Sequence, residues 1–138
     1  MATHDRPSSL QSPLRPLWLL IGWTLVLLIV YLSLTPRPVE VPLEQGDKLM
    51  HVVAYLVLAS WFANLYEGAP GRILSAAGCI ALGVALEFAQ RWVGYRSFEY
   101  ADMAANTAGV ICAWVLAPPR LPNYLHAVEN IIRKRWSA

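Results

Sequence analysis

Polar side chains in this sequence gather in three short groups, each at the edge of an apolar run. The groups are Asp47, Lys48, His51 and Tyr55; Glu87 and Gln90; and Asp102 and Asn106, with Arg96 ahead of the last group. Spacings of three or four residues place the members of a group on one face of a helix. Carboxylates beside an imidazole, which titrates near about pH 6.5, can exchange protons with a substrate. The residue types therefore indicate general acid or base chemistry.

Each of these residues has a candidate role. The candidate catalytic residues are His51, Glu87 and Asp102, and the candidate ligand-binding residues are Asp47, Lys48, Tyr55, Gln90, Arg96 and Asn106. The cations Lys48 and Arg96 are suited to holding a phosphate or carboxylate group. We expect Tyr55 to orient His51 or Glu87 through a hydrogen bond rather than to react.

A metal site is an alternative interpretation of the same residues. Its ligands would be Asp47, His51, Glu87 and Asp102. The cluster has a single histidine, and Lys48 and Arg96 oppose the binding of a cation, so the sequence predicts neither a metal nor a cofactor.

Nucleophilic catalysis has little support, because no serine or cysteine lies on the polar stripes. Cys79 and Cys112 lie inside apolar runs, and we interpret them as small apolar residues.

Four apolar runs must position these groups, at residues 17–34, 49–66, 73–89 and 101–117. The chain of 138 residues is 57% hydrophobic and 14% charged, whereas an ordinary soluble domain has about 25% charged residues. Each run can cross about 30 Å of hydrocarbon as a helix, and none alternates as a barrel strand does. Small residues should let the third and fourth helices pack closely against their neighbours: Gly78, Ala81, Ala85, Ala104, Ala105, Ala108, Gly109 and Ala113. The sequence predicts an all-α integral membrane bundle of four transmembrane helices.

The distribution of lysine and arginine predicts the orientation of this bundle. One side holds seven of them: Arg6, Arg15, Arg72, Arg120, Arg133, Lys134 and Arg135. The other side holds four: Arg37, Lys48, Arg91 and Arg96. Because cytoplasmic segments carry the excess of positive charge, both termini are predicted to be cytoplasmic. The three polar groups then share the outer face, in a pocket between the second, third and fourth helices.

The predicted organisation has three parts: a cytoplasmic segment at 1–16, a transmembrane domain at 17–117 and a basic tail at 118–138. In the tail, apolar residues recur with helical spacing beside basic ones: Leu125, Val128, Ile132 and Trp136, with Arg133, Lys134 and Arg135. This pattern is typical of an amphipathic helix on an anionic membrane surface. A frayed basic tail fits equally well. The net charge of +2 is too small to indicate a nucleic-acid partner.

Three spaced motifs resemble the VanZ-like family of membrane proteins. They read D-K-x-x-H-x-x-x-Y at 47–55, E-x-x-Q at 87–90 and R-x-x-x-x-x-D-x-x-x-N-x-x-G at 96–109. The resemblance covers residues 17–117 and implies a multi-pass protein of the bacterial inner membrane. It also implies a link to the cell envelope, because the family's namesake is associated with resistance to the glycopeptide antibiotic teicoplanin. It implies no chemical role for any residue, since no biochemical activity is settled for the family.

Three functions fit these residues, and whether the protein is an enzyme stays open. The first is recognition of an amphiphile at the outer leaflet: a membrane lipid, a lipid-linked envelope intermediate or a lipoglycopeptide. The second is acid or base catalysis on a similar ligand, with Glu87 and His51 as the proton-transfer pair. The third is a structural lock in which Lys48 and Arg96 neutralise the carboxylates. Polar contacts between membrane helices average only about 0.6 kcal/mol, and ionisable groups in membranes are usually functional, which favours the first two.

Overall fold

The chain forms five α-helices in the part described by its structure, a computed structural model that covers residues 12–37, 42 and 44–136. The helices are α1 (Arg15–Leu34), α2 (Gly46–Leu65), α3 (Ala69–Val93), α4 (Tyr100–Leu116) and α5 (Tyr124–Trp136). The prediction of an all-helical chain is confirmed for these residues. Most of the predicted segment 1–16, including Arg6, lies outside the described residues.

The helices begin and end where local chemistry favours it. Pro16 and Pro70 stand in the first turns of α1 and α3, where the missing amide hydrogen removes no helical hydrogen bond. Gly94 follows α3 with a φ of 77°, in the left-handed region that favours glycine. Because α3 continues to Val93, beyond its predicted end at residue 89, Gln90 belongs to the helix.

Three helices, α1, α2 and α3, are long and apolar enough to cross a membrane. Large apolar side chains are exposed along α1, among them Leu20, Trp23, Leu27 and Tyr31, as expected for a helix that faces lipid. The shorter α4 has 17 residues, which corresponds to about 25 Å. The structure is therefore consistent with a membrane protein, and the fourth span stays a prediction.

The central helix of the bundle is α2, which contacts each of the other four helices. Its most extensive contact is with α4, where Gly109 allows a close approach. A Cβ at Gly109 would meet the carbonyl oxygen of Val52 and would lie 2.9 Å from the backbone nitrogen of Leu56. This contact fixes the separation of the two helices that carry most of the predicted site.

Small residues produce close packing on one face of α4 and, on α3, at Gly83, where an added Cβ would lie 3.0 Å from Asn106 Nδ2. Ala105, Gly109 and Ala113 are buried, as predicted, whereas Ala104 and Ala108 on the opposite face of α4 are exposed. Gly78, Ala81 and Ala85 are exposed, and no neighbouring atom of the described residues lies within 4 Å of where a Cβ of Gly78 would stand. The predicted contacts through these α3 residues are wrong, because α3 turns a different face towards α2 and α4.

The fifth helix packs against the end of the bundle that lies opposite the predicted polar site. Leu125 and Glu129 are buried there. The indole Nε1 of Trp18 donates to Glu129 Oε1 at 2.6 Å, and Asn123 Nδ2 donates to the carbonyl oxygen of Asn64 at 2.8 Å. The frayed-tail alternative is therefore wrong for residues 124–136, while the location of this helix on a membrane surface stays a prediction.

Candidate functional site

Three helix ends meet at one end of the bundle: the first turns of α2 and α4 and the last turns of α3. Lys48 lies at the centre of an ion-pair network there. Its Nζ is 2.7 Å from Asp47 Oδ2 and 2.7 Å from Glu99 Oε2, and it is 3.0 Å from Asp102 Oδ1. We call Asp47, Lys48 and Glu99 the outer cluster, because these side chains are more exposed than the residues beneath them.

Beneath the outer cluster, His51, Glu87 and Asp102 form what we call the inner cluster. They belong to α2, α3 and α4, and one imidazole nitrogen and one oxygen from each carboxylate lie within 4.8 Å of one another. Glu87 is 1% exposed and Asp102 is 6% exposed, and the His51 side chain is 15% exposed. The structure thus brings the three candidate catalytic residues together from three helices.

Asn106, one turn along α4 from Asp102, sets the orientation of His51. The imidazole Nδ1 lies 2.9 Å from Asn106 Oδ1, and because an amide oxygen only accepts, Nδ1 carries the hydrogen. In the neutral ring, Nε2 then has a free lone pair. Nε2 is 3.5 Å from Asp102 Oδ2, too far for an ordinary hydrogen bond. The two electron-rich atoms face each other across a gap that suits a proton or a metal ion.

Glu87 is a buried carboxylate with few partners. Its Oε2 accepts a hydrogen bond from the backbone N–H of Glu99 at 3.4 Å, which is long for such a bond. No lysine or arginine forms an ion pair with it in the part of the chain that the structure describes. A buried ionised carboxylate is costly without a partner, so Glu87 is suited to holding a proton or binding a cation.

Asp102 connects the two clusters. Its Oδ1 is close to Lys48 Nζ, while its Oδ2 faces His51. The contact with Lys48 is an ion pair without hydrogen-bond geometry, since this buried Oδ1 accepts no hydrogen bond from the described residues. One oxygen of Asp102 is therefore neutralised, and the other is directed into the inner cluster.

Tyr55 and Gln90 are both buried, and neither side chain forms a hydrogen bond with the inner cluster in the described part of the chain. The hydroxyl of Tyr55 makes no hydrogen bond with any described residue, so the predicted bond from Tyr55 to His51 or Glu87 is wrong. Gln90 Nε2 donates to the carbonyl oxygen of Ser33 at 2.9 Å. The Gln90 amide therefore connects α3 to the last turn of α1, where helical carbonyl groups lack intrahelical donors.

Arg96 and Asp47 lie at the edge of the site. Arg96 is half-buried, and no hydrogen bond or ion pair joins its guanidinium to the described residues. Its role in holding a phosphate or carboxylate group stays a prediction. The carboxylate of Asp47 is more than half exposed and pairs with Lys48, so it belongs to the mouth of the site.

Sequence reasoning missed Glu99, which immediately precedes α4. Its carboxylate pairs with Lys48 and its backbone N–H donates to Glu87, so it contacts both clusters. The Lys48 ammonium holds the pKa of the Glu99 carboxyl below its usual value. The available signal was its position three residues before Asp102, which places both acids on the same side of the start of α4.

The site has an excess of negative charge. It contains one lysine, Lys48, which pairs with three carboxylates, and a fourth carboxylate, Glu87, that does not pair with it; the four are Asp47, Glu87, Glu99 and Asp102. When all are ionised and His51 is neutral, three negative charges have no counterpart among these residues. Lys48 is already engaged, so the suggestion that it anchors a phosphate loses support. The arrangement favours the binding of a proton or a cation.

Comparison with known proteins identifies no family for this chain. No family model, curated protein or solved structure matches the chain. The VanZ-like resemblance therefore stays a prediction, and the geometry of the inner and outer clusters is the basis for inferring a function.

Proposed function

We propose that this chain is a multi-pass protein of the bacterial inner membrane whose inner cluster recognises or processes an amphiphilic ligand of the cell envelope. In this proposal α4 is a fourth transmembrane helix, both termini are cytoplasmic and the site faces outward. The ligand is a lipid-linked envelope intermediate or a lipoglycopeptide such as teicoplanin, in line with the VanZ-like resemblance. The observation that carries the proposal is a set of buried polar atoms, one each on α2, α3 and α4, that have no hydrogen-bond partner among the described residues.

These atoms are costly for a purely structural role. The Tyr55 hydroxyl and Gln90 Oε1 are buried without hydrogen bonds among the described residues, and Glu87 has one long hydrogen bond. Each buried unsatisfied group costs about 1–3 kcal/mol. A polar ligand group would offset that cost, and ionisable residues within membranes usually mark such a site.

Aromatic residues support a position close to a membrane surface. Trp92 is 94% exposed, and Tyr95 and Tyr100 are also exposed, as is typical of the aromatic belt at a membrane interface. Glu87 stands five residues before Trp92 on α3, about 7.5 Å along the helix axis. At that depth the headgroup of an amphiphile can contact the inner cluster while its tail remains in lipid.

The distribution of charge supports the outward orientation more strongly than the raw count of basic residues. Lys48 is one of the four cations assigned to the outer side, yet it is bound by carboxylates of the outer cluster. It therefore contributes little as a free loop charge. Removing it from the count strengthens the positive bias of the side that holds the termini.

Binding to the purified chain tests the proposal. Native mass spectrometry in detergent compares a lipid-linked envelope precursor and teicoplanin with phosphatidylglycerol, which reports nonspecific lipid. We expect one of the first two to bind once per chain and at least tenfold more tightly than phosphatidylglycerol. Glu87→Gln should abolish this preference, and Glu44→Gln, the same change at an exposed position on the same side, should keep it. Equal binding of all three amphiphiles would contradict the proposal.

A structural lock between helices is the second candidate, and the outer cluster favours it. Lys48 on α2 pairs with Glu99 and Asp102 and thereby joins the start of α2 to the start of α4. A lock predicts that Lys48→Met lowers stability and function in parallel. Glu87 is not explained by this lock, because it forms no ion pair with Lys48.

A further inference from the structure

We infer that the inner cluster binds one divalent transition-metal ion of the Zn²⁺ type, with His51, Glu87 and Asp102 as its ligands. The inference deepens the proposed function and rests on it for the role of the ion, although not for its binding. Three features carry it: the spacing of the ligand atoms, the tautomer of His51 and the missing positive charge beside Glu87.

The ligand atoms have the separations that a single ion requires. One atom from each of the three side chains lies within 4.8 Å of the others, and His51 Nε2 is 3.5 Å from Asp102 Oδ2. Zinc bonds of about 2.0–2.2 Å in a tetrahedral arrangement place two ligand atoms about 3.4 Å apart. Small side-chain movements would therefore bring all three ligands onto one ion.

The hydrogen bond from Asn106 provides independent support. Histidine ligands commonly donate their second ring N–H to an acceptor, which fixes the tautomer and directs the lone pair at the metal. Asn106 Oδ1, 2.9 Å from His51 Nδ1, is such an acceptor. It leaves the Nε2 lone pair facing Asp102 Oδ2, an arrangement that is repulsive unless a cation lies between the two atoms.

The outer cluster shows how this chain fills a group of carboxylates. Asp47, Glu99 and Asp102 also stand within 4.8 Å of one another, and Lys48 Nζ lies among them at 2.7–3.0 Å. No equivalent ammonium or guanidinium pairs with Glu87 among the described residues. A metal ion would supply the positive charge that the inner cluster lacks.

The two sequence-based objections to a metal are answered by the geometry. One histidine with two carboxylates gives three protein ligands and leaves a fourth position open, as in catalytic rather than structural zinc sites. Lys48 contacts Oδ1 of Asp102, while Oδ2 faces His51. Arg96 forms no ion pair with the described part of the site.

The ion would also explain how a negatively charged site accepts an anionic headgroup. Lys48 is bound by three carboxylates and is not free to hold a phosphate or carboxylate. A metal with an open position supplies a Lewis acid for such a group. The residues of the inner cluster would hold the ion, and the outer cluster would keep Asp102 in place.

Metal binding to the purified chain tests the inference. The chain is stripped with a chelator in detergent and titrated with Zn²⁺ against a chromophoric competitor, and bound zinc is measured by elemental analysis. We expect one Zn²⁺ per chain. Asn106→Ala should keep that stoichiometry and weaken binding about 10–100-fold, as is typical of partners that orient a ligand. His51→Ala, Glu87→Gln and Asp102→Asn should weaken it further, and Glu44→Gln should leave it unchanged.

A second measurement uses an intact inner cluster, because a ligand variant can fail to fold. In a chain labelled with ¹⁵N-histidine, with His4 and His126 replaced by glutamine, only His51 contributes a signal. Zn²⁺ should shift the Nε2 resonance, while Nδ1 keeps its proton. A shift at Nδ1 instead would overturn the inference.

The inference would also be overturned if the unmodified chain bound no stoichiometric zinc. The same holds if the three ligand variants bound Zn²⁺ as tightly as the unmodified chain. The titration contains no amphiphile, so it separates the inference from the proposed function. A chain that binds Zn²⁺ but no amphiphile refutes only the proposed function. A chain that binds the amphiphile but no Zn²⁺ refutes only the metal site.

Discussion

Replacing Glu87 with glutamine separates a functional site from a structural lock. Glutamine keeps the volume of the side chain, removes its charge and still offers an oxygen to the Glu99 N–H, 3.4 Å away. Glu87 is 1% exposed and has no ion-paired cation among the described residues. Removing an uncompensated buried charge should therefore leave the free energy of unfolding unchanged or raise it by up to about 2 kcal/mol.

Asp102→Asn is the matched control, because it makes the same change of charge at a residue that does pair with Lys48. Lys48 would keep Asp47 and Glu99 as partners, so we expect a loss of about 1–2 kcal/mol. A lock that depended on Glu87 predicts the reverse order of stabilities, with Glu87→Gln less stable than Asp102→Asn. It would give a loss of about 3–5 kcal/mol for Glu87→Gln, because a buried cation would lose its partner.

The assay is thermal unfolding at equilibrium in detergent, monitored by circular dichroism. A chelator is present so that bound metal does not contribute to stability. For a chain of this size, 1 kcal/mol corresponds to a shift of about 3–5 °C in Tm. We predict that Glu87→Gln unfolds at or above the temperature of the unmodified chain and that Asp102→Asn unfolds below it. A drop of 10 °C or more for Glu87→Gln with no drop for Asp102→Asn would refute it (about 3 kcal/mol on the same scale).

Three further predictions follow from the packing and the charges. Gly109→Ala should lower the free energy of unfolding by about 1–3 kcal/mol in the same assay, because the new Cβ would lie 2.9 Å from the Leu56 nitrogen; unchanged stability would mean that α2 and α4 are not this close. Trp18→Phe should cost about 1–3 kcal/mol, since it removes the indole donor of the buried Glu129 carboxylate, and a neutral result would argue against docking of α5. Fused after Ala138, a reporter that works only in the cytoplasm should be active, and one that works only in the periplasm should be inactive. Activity of the periplasmic reporter would mean that the predicted topology is inverted.

Features that depend on periodicity were predictable from the sequence. The apolar runs 49–66 and 101–117 correspond to α2 and α4 to within three residues at each end. Consecutive helices that run in opposite directions bring the start of one beside the end of the previous one. This is why polar groups far apart in sequence, at His51, Glu87 and Asp102, lie together in the structure.

Features that depend on side-chain direction were not predictable. Tyr55 shares a helix face with His51, yet its hydroxyl lies where it finds no described partner. Glu99 stands outside every apolar run, and only the loop before α4 brings it to Lys48. The buried position of Glu129 depends on a donor more than one hundred residues earlier in the chain, and no local pattern indicates such a partner.

The most direct test of the central claim is an experimental density map of the chain in lipid, prepared with Zn²⁺ and the lipid-linked precursor. The claim is that His51, Glu87 and Asp102 form a ligand site rather than a closed ion-pair core. We predict an anomalous zinc peak about 2.0–2.2 Å from His51 Nε2 and from one oxygen of each carboxylate, with headgroup density beside it between α2, α3 and α4. A map in which these side chains contact only one another, with lipid density confined to the outer faces of the helices, would contradict the claim.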